Sequence, residues 1–245
     1  MHEPQPVVAS TPIWKDLLIP GSILFAGLAI GLGLYFSGGA AATVAAVPAP
    51  VAAPEAADRT DQVAAVDDAD HRKGPSDAAI TIVEYSDFDC SFCSRFHTTM
   101  DDLIAATDDV AWVYRHFPLE QLHPQAKGVA MASECVAQLA GPDAFWSFTD
   151  GYFAARGAGD RGPHDPLVAR LASEAGVANA ALQECLTSGR TEGLVDADMD
   201  NAIATGGRGT PWSILIGPTG KTYPINGALP AAAIEQLIQI ARDEA

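Results

Sequence analysis

Residues 80–97 read ITIVEYSDFDCSFCSRFH, and this stretch contains the two patterns that decide the fold. Residues 80–85 form a short apolar, β-branched run that is typical of a buried strand. A turn leads into a Cys-Ser-Phe-Cys pair, and apolar residues then recur at helical spacing, which predicts a helix over about 90–106. The sequence therefore predicts that Cys90 and Cys93 lie where a strand passes into a helix.

The position of this cysteine pair indicates redox chemistry. A thiol at a helix N-terminus faces unpaired backbone N–H groups and the positive end of the helix dipole, which both stabilise the thiolate. We therefore expect Cys90 to be the exposed nucleophile and Cys93 to resolve the mixed disulfide. A structural zinc site uses the same spacing, but such sites normally repeat the Cys-x-x-Cys unit, and Cys135 and Cys185 are isolated. We predict no metal and no cofactor.

The rest of the chain predicts an α/β fold with a helical insertion. Further strands are expected at 110–114, 213–216 and 221–225. Helices are expected at 124–140, 142–155, 165–176, 179–188, 190–205 and 230–243. The predicted order is β-α-β, a helical insertion at about 123–205, and β-β-α.

The N-terminal region predicts a membrane anchor. Residues 17–36, LLIPGSILFAGLAIGLGLYF, carry no charge and would span a hydrocarbon core of roughly 30 Å. We expect an uncleaved transmembrane signal anchor over 13–36 after a short cytoplasmic tail, 1–12; the alternative is cleavage near 40–42. Lys15 before the span favours an N-terminus inside the cell. The redox domain would then lie on the periplasmic side of the cell membrane, with the lipid bilayer contacting only the span.

A linker and an acidic folded domain are expected after the anchor. Residues 37–74 are rich in Ala and Pro, with few large apolar side chains, so they predict a disordered tether. The folded domain is expected over 75–245. The chain has 31 Asp and Glu against 14 Lys and Arg, a formal net charge of −17, which excludes nucleic acid as a partner.

The cysteine pair and its surroundings resemble the active-site region of DsbA-like thiol:disulfide oxidoreductases of the thioredoxin superfamily. Similar motifs follow in the family's order: YRHFPL at 114–119, HP at 123–124, SEC at 133–135, FW at 145–146, CL at 185–186 and Gly-Thr-Pro at 209–211. The resemblance covers about 74–243. It implies a thioredoxin-like fold and disulfide exchange on exported polypeptides that contain Cys, with a membrane or soluble redox partner to take the electrons.

Glu84 is a candidate proton-transfer group. It lies in an otherwise apolar strand, and a buried carboxylate must have a raised pKa or a partner. In similar proteins an acidic residue at this spacing lies beneath the cysteine pair, so the resemblance implies that Glu84 exchanges a proton with Cys93. The alternative is a strand-end carboxylate that reaches solvent.

Three residues are candidates for binding substrate. Pro211 is typical of a residue that begins a strand. The resemblance implies instead a cis Thr210–Pro211 peptide that faces the cysteines and helps to bind substrate polypeptide. The ring of Phe92 offers apolar surface for the same contact.

Three further residues are expected to modulate the thiols. Ser91 stands where the family often has Pro, which leaves the direction of the reaction open. Asp89, like Asp87, places negative charge near Cys90, which opposes the thiolate and predicts a moderate oxidant; its main expected role is to cap the helix. His97 lies on the same helical face as the cysteines and is either a residue that tunes a thiol or a partly exposed helix residue.

Cys135 and Cys185 fall on two predicted helices of the insertion, where an oxidising compartment favours a structural disulfide over a second redox relay. The sequence as a whole predicts an oxidant of substrate thiols that acts through Cys90 and Cys93. The alternatives are a reductase or isomerase of the same fold, and a thioredoxin-like assembly factor that binds a metal or a client protein.

Overall fold

The computed structural model describes residues 59–160 and 162–244, which contain five strands and seven helices. The strands are β1 (His71–Lys73), β2 (Ile80–Ser86), β3 (Val110–His116), β4 (Trp212–Ile216) and β5 (Thr222–Asn226). The helices are α1 (Ser91–Ala105), α2 (Ala126–Ala140), α3 (Pro142–Gly157), α4 (His164–Glu174), α5 (Asn179–Ser188), α6 (Glu192–Ala204) and α7 (Ala231–Asp243). The predicted strands and helices are confirmed, with ends that shift by two residues at most.

The five strands form one sheet in the order β1-β3-β2-β4-β5. β2 and β3 are parallel and are connected through α1, whereas the other neighbouring strands are antiparallel. Because β2 is central and both faces of the sheet are covered, its side chains are buried on both sides. This explains why the strand appears in the sequence as a continuous apolar run.

Two hydrophobic cores lie on opposite faces of the sheet. The larger core packs Ile80 and Ile82 of β2 against α1, α7 and the helical insertion. The smaller core packs Val83 and Tyr85 against α6 and the segment before β1. Glu84 lies between Val83 and Tyr85 in sequence, so its side chain points to the larger core, where α1 carries the cysteine pair.

Ordered structure begins earlier than the sequence indicates. Part of the segment assigned to the linker forms a 3-10 turn, Thr60–Gln62, and strand β1, which pairs with β3 so that His71 lies opposite Tyr114. The three residues of β1 are polar and show no alternation, so only their pairing with β3 defines the strand. Gly74 ends it with φ +94°, and a Cβ there would lie 2.6 Å from the Val110 carbonyl oxygen. Only glycine fits this close approach.

Helices α2 to α6 form the insertion between β3 and β4. The Sγ atoms of Cys135 in α2 and Cys185 in α5 are 1.98 Å apart, which is a disulfide bond. It links two helices that also pack against each other through buried residues of the larger core.

The predicted membrane span, residues 17–36, lies outside the described residues, as do the tail before it and most of the linker after it. Within 59–160 and 162–244, none of the helices combines the length and the apolar character needed to cross a membrane.

Candidate active site

The two cysteines of the pair differ in burial and in backbone position. Cys90 is the N-cap of α1, and the helix begins at Ser91, so Cys93 lies in its first turn. Both thiols are free, and Cys90 exposes 7% of its surface whereas Cys93 exposes none. Cys90 is therefore the more accessible sulfur, although the sequence analysis expected a more exposed one.

The environment of Cys90 favours its thiolate. A hydrogen bond from the Cys93 side chain, assisted by Thr210 and by the backbone N–H groups of Phe92 and Cys93, outweighs burial and lowers the pKa of Cys90 to about 5. Backbone donors of this kind are the orphan N–H groups of a helix N-terminus. Such a thiol is largely ionised at neutral pH, which disagrees with the thiolate-opposing environment predicted from Asp87 and Asp89.

Asp87 and Asp89 were expected to oppose the thiolate, but both carboxylates form hydrogen bonds or ion pairs with other residues. Asp89 accepts hydrogen bonds from the Tyr152 hydroxyl at 2.9 Å and from His164 at 2.7 Å, and Arg156 lies 3.5 Å away. Asp87 pairs with His123 at 2.9 Å. Helix α1 has no side-chain cap, so the predicted capping role of Asp89 is wrong. Asp89 instead joins the cysteine turn to the helical insertion.

Glu84 and Cys93 form a buried acidic pair beneath Cys90. Burial, together with the nearby Cys90 and Glu84, raises the pKa of Cys93 well above that of an ordinary thiol. Burial also raises the pKa of Glu84 to about 8, against the lowering effect of the Ser86 and Trp112 side chains. Glu84 is fully buried, so the alternative of a carboxylate that reaches solvent is wrong.

One indole orients the Glu84 carboxyl group. Trp112 Nε1 donates a hydrogen bond to Glu84 Oε2 at 3.0 Å, whereas Glu84 Oε1 has no hydrogen-bond partner among the described residues. Trp112 does not stand out in the sequence as a site residue, because it is one of several apolar positions in β3. The signal that points to it is spatial, since the parallel register places Trp112 opposite Ile82, two positions from Glu84.

The loop before β4 approaches the nucleophile. The Thr210–Pro211 peptide is cis, and the Cys90 Sγ lies 3.4 Å from the Thr210 carbonyl oxygen. Phe92 exposes 54% of its surface, and the Arg95 guanidinium lies over its ring. Ser91 is also exposed. Cys90, Phe92, Thr210 and Pro211 therefore lie at one site, with an apolar ring at its edge.

His97 is not in contact with either thiol. It is buried, so it is not the partly exposed helix residue that was the alternative, and its Nε2 lies 2.8 Å from Asp150 Oδ1. Its ring packs edge-on against Trp112 with centroids 5.0 Å apart. His97 also lies 3.4 Å from Asp101, whose charge contributes to the raised pKa of Glu84.

Two clusters of His, Asp and Glu side chains in the described part of the chain have the spacing of metal ligands. They are His71, His116 and Glu134, and His97, Asp101 and Asp150. Neither includes Cys90 or Cys93, so within these residues the cysteine pair has no further ligands of this kind.

Comparison with known proteins gives a family and a set of similar folds. A family model described as Thioredoxin matches residues 67–236. DsbA2 of Pseudomonas aeruginosa is 26% identical, with 70% of this chain and 93% of that chain covered and a TM-score of 0.60. A thioredoxin-like oxidoreductase from Silicibacter pomeroyi DSS-3 is 22% identical, with coverage of 73% and 95% and a TM-score of 0.62. BdbD of Bacillus subtilis is 23% identical, with coverage of 71% and 92% and a TM-score of 0.60. At these identities, the Silicibacter pomeroyi and Bacillus subtilis proteins show similarity of fold alone.

Curated relatives match only over part of their length. The Na(+)/H(+) antiporter NhaA 1 of Mycolicibacterium gilvum is 48% identical over 85 residues, which are 34% of this chain and 13% of that protein. The Na(+)/H(+) antiporter NhaA 3 of Salinispora tropica is 34% identical over 144 residues, which are 59% of this chain and 21% of that protein. The chain thus spans a small fraction of these relatives.

Proposed function

Because the chain belongs to the thioredoxin family and has a DsbA-like fold, we propose that it is a thiol:disulfide oxidoreductase that oxidises thiols of exported proteins. The observation that carries the proposal is the pairing of a Cys90 thiol of low pKa with a buried Cys93 thiol of high pKa at one helix start. The two sulfurs then have separate roles, with Cys90 reacting with substrate and Cys93 shielded from it.

The low pKa of Cys90 supports the oxidising direction. A thiolate that the folded protein stabilises makes the reduced form favourable and is a good leaving group, so the disulfide form gives up its bond readily. The helix N-terminus and the Cys93 hydrogen bond both act on this one sulfur. A reductase of the same fold would be favoured by a Cys90 thiol of ordinary acidity.

The proposed reaction transfers one disulfide and two electrons. A substrate thiolate attacks Cys90 Sγ of the Cys90–Cys93 disulfide, which forms a mixed disulfide and releases the Cys93 sulfur. Glu84 in its acid form gives its proton to that sulfur. The second substrate thiolate then attacks the substrate sulfur of the mixed disulfide, which closes the substrate disulfide and releases Cys90 as a thiolate.

Substrate recognition would use the surface beside Cys90. The Thr210 carbonyl oxygen lies 3.4 Å from Cys90 Sγ, so a polypeptide bound to that sulfur passes next to this backbone. An extended substrate segment can pair with the backbone at Thr210 and Pro211, as in strand addition. The exposed Phe92 ring supplies apolar contact that does not depend on the substrate sequence.

The proposed location is the outer side of the cell membrane. The apolar run at 17–36 supports an anchor, with 37–58 as tether, and the Cys135–Cys185 disulfide suits an oxidising compartment. A membrane or soluble redox partner would reoxidise Cys90 and Cys93. Antiport is not part of the proposal, because the matched stretches are 13% and 21% of those relatives.

The experiment that tests the direction is a redox titration of the full chain in glutathione buffers. We expect a reduction potential of about −180 mV or higher, the range of oxidants and isomerases of this superfamily. A potential below about −230 mV would identify a reductase instead. Metal content measured after purification under reducing conditions addresses the remaining alternative, an assembly factor that holds a metal through Cys90 and Cys93.

A further inference from the structure

A second group of chemically active side chains lies away from the cysteine pair, where β1, β3 and α2 meet. His71 Nε2 lies 2.6 Å from Glu134 Oε1, and His116 Nε2 lies 2.9 Å from the same oxygen. All three ligand-type atoms lie within 4.8 Å of one another. Two imidazoles on neighbouring strands thus converge on one carboxylate oxygen of the insertion.

Packing holds the two imidazole rings in place. The His71 ring stacks on Phe145 with centroids 3.4 Å apart and an interplanar angle of 6°. His116 is fully buried, and its ring contacts Phe88 and Phe145. The pairing of β1 with β3 sets the spacing between the two histidines. Such preorganisation is the main requirement of a metal site.

The charges of the cluster suit a divalent cation. Both histidines approach one Glu134 carboxylate oxygen, so the cluster brings one carboxylate and two imidazoles together. Two histidines and a glutamate form a recurrent set of zinc ligands.

The other cluster of metal-ligand type already contains a cation. Lys73 Nζ lies 2.6 Å from Asp101 and 2.9 Å from Asp150, so its ammonium group neutralises the carboxylates beside His97. Glu134, in contrast, has ion pairs only with His71 and His116 among the residues that the structure describes. The first cluster therefore still lacks a permanent positive charge.

An ion can reach this cluster from solvent. A cavity of about 260 Å³ is lined by His71 and Glu134, by three further carboxylates, Asp67, Asp70 and Asp198, and by Arg115, whose guanidinium pairs with Asp70 at 2.8 Å. The cavity has room for a water molecule as a fourth ligand. The acidic chain, with its net charge of −17, raises the local concentration of cations.

We propose that His71, His116 and Glu134 bind one divalent ion of the zinc type, with the two Nε2 atoms and a Glu134 oxygen as ligands and water in the fourth position. Tetrahedral zinc at about 2.0–2.1 Å from each ligand separates the ligand atoms by about 3.3 Å, so each histidine Nε2 needs to move less than 1 Å away from Glu134 Oε1. To bind zinc through Nε2, each imidazole must carry its proton on Nδ1. His116 Nδ1 has no hydrogen-bond partner among the described residues, so a proton on this nitrogen breaks no existing hydrogen bond.

The ion would join β1 and β3 of the sheet to helix α2 of the insertion. It would act as a structural link beside the Cys135–Cys185 disulfide, since Glu134 precedes Cys135. The inference does not depend on disulfide exchange at Cys90 and Cys93.

Zinc binding to the full chain tests the proposal once Cys90 and Cys93 have been blocked by oxidation to their disulfide, because free thiols also bind zinc. We expect one zinc per chain after equilibrium dialysis and a higher Tm with zinc. The variants His71→Ala and Glu134→Gln should lose this ion at unchanged far-ultraviolet circular dichroism. His123→Ala, a histidine outside the cluster, should retain it. No bound zinc in the blocked chain, or equal zinc in the cluster variants, would overturn the proposal.

Cobalt(II) gives a readout that does not depend on the folding of variants. The blocked wild-type chain should develop the visible bands of tetrahedral cobalt without the charge-transfer band of a thiolate ligand. A blocked chain that shows no tetrahedral bands at saturating cobalt refutes the site.

Discussion

Replacing Trp112 with Phe should raise the pKa of Glu84 and slow the step in which Cys93 ionises. The substitution removes the indole N–H that donates to Glu84 Oε2 at 3.0 Å and keeps an aromatic ring in the core. A hydrogen bond to a charged group contributes roughly 1.5–3 kcal/mol, and one pKa unit corresponds to about 1.4 kcal/mol. The pKa of Glu84 should therefore rise from about 8 by about 1–2 units.

The sign of the effect on stability follows from the same shift. The folded-state pKa of Glu84 lies above the ordinary value of 4.5, so between 4.5 and about 8 the folded protein holds a proton that the unfolded chain has released. This contribution to stability is complete below pH 4.5 and is lost as the pH rises through about 8. In Trp112→Phe this contribution to stability should be lost at a higher pH, because the pKa of Glu84 is higher.

The assay is stopped-flow reaction of the reduced protein with an aromatic disulfide over a range of pH. Cys90 attacks first and forms a mixed disulfide, which is the first kinetic phase. Cys93 then resolves the mixed disulfide with the Glu84 carboxylate as base, so the rate of this second phase should rise with pH through the pKa of Glu84. Trp146→Phe is the matched control: its ring centroid lies 4.9 Å from that of Trp112, and its Nε1 has no hydrogen-bond partner among the described residues.

An inflection that stays at the same pH in Trp112→Phe, in the pH profile of the second-phase rate, would refute this role of Trp112. An equal shift of the inflection in Trp146→Phe would refute it as well. Glu84→Gln should remove the inflection altogether. An inflection that persists in Glu84→Gln would show that another group supplies the base.

Three further predictions concern the nucleophile, the disulfide and the edge of the sheet. The ultraviolet absorbance of the first thiolate should titrate near pH 5, and Cys93→Ala should raise this midpoint more than Cys93→Ser, which keeps a donor; equal midpoints would contradict this. Replacing both Cys135 and Cys185 by Ala should lower the free energy of unfolding in urea by about 4 kcal/mol for a separation of 50 residues, with disulfide exchange retained; unchanged stability would remove the structural role. Gly74→Ala should lower the Tm more than Gly141→Ala, because both have positive φ but only the first meets a carbonyl oxygen.

The sequence predicted the elements that depend on local pattern. The apolar run of β2 and the helical spacing after Cys93 depend on periodicity, so they located the thiols at a helix start. Strand β1 could not be predicted in this way, because His71, Arg72 and Lys73 become a strand only through pairing with β3.

The electrostatics of the site depended on distant residues. Asp89 was expected to act on the neighbouring Cys90, but its charge is taken up by Arg156 and His164, which lie far along the chain in the insertion. The contact from Trp112 to Glu84 likewise follows from the parallel register of β2 and β3. Sequence spacing locates charges near a thiol, and the fold decides which partners neutralise them.

The most direct measurement of the central claim is a single turnover between the oxidised chain and a reduced, unfolded polypeptide with two cysteines, followed by mass spectrometry. We predict that each Cys90–Cys93 disulfide lost gives one disulfide in the polypeptide, and that Cys90 carries the mixed disulfide intermediate. A Cys90–Cys93 disulfide that persists while the polypeptide thiols stay reduced would contradict the account.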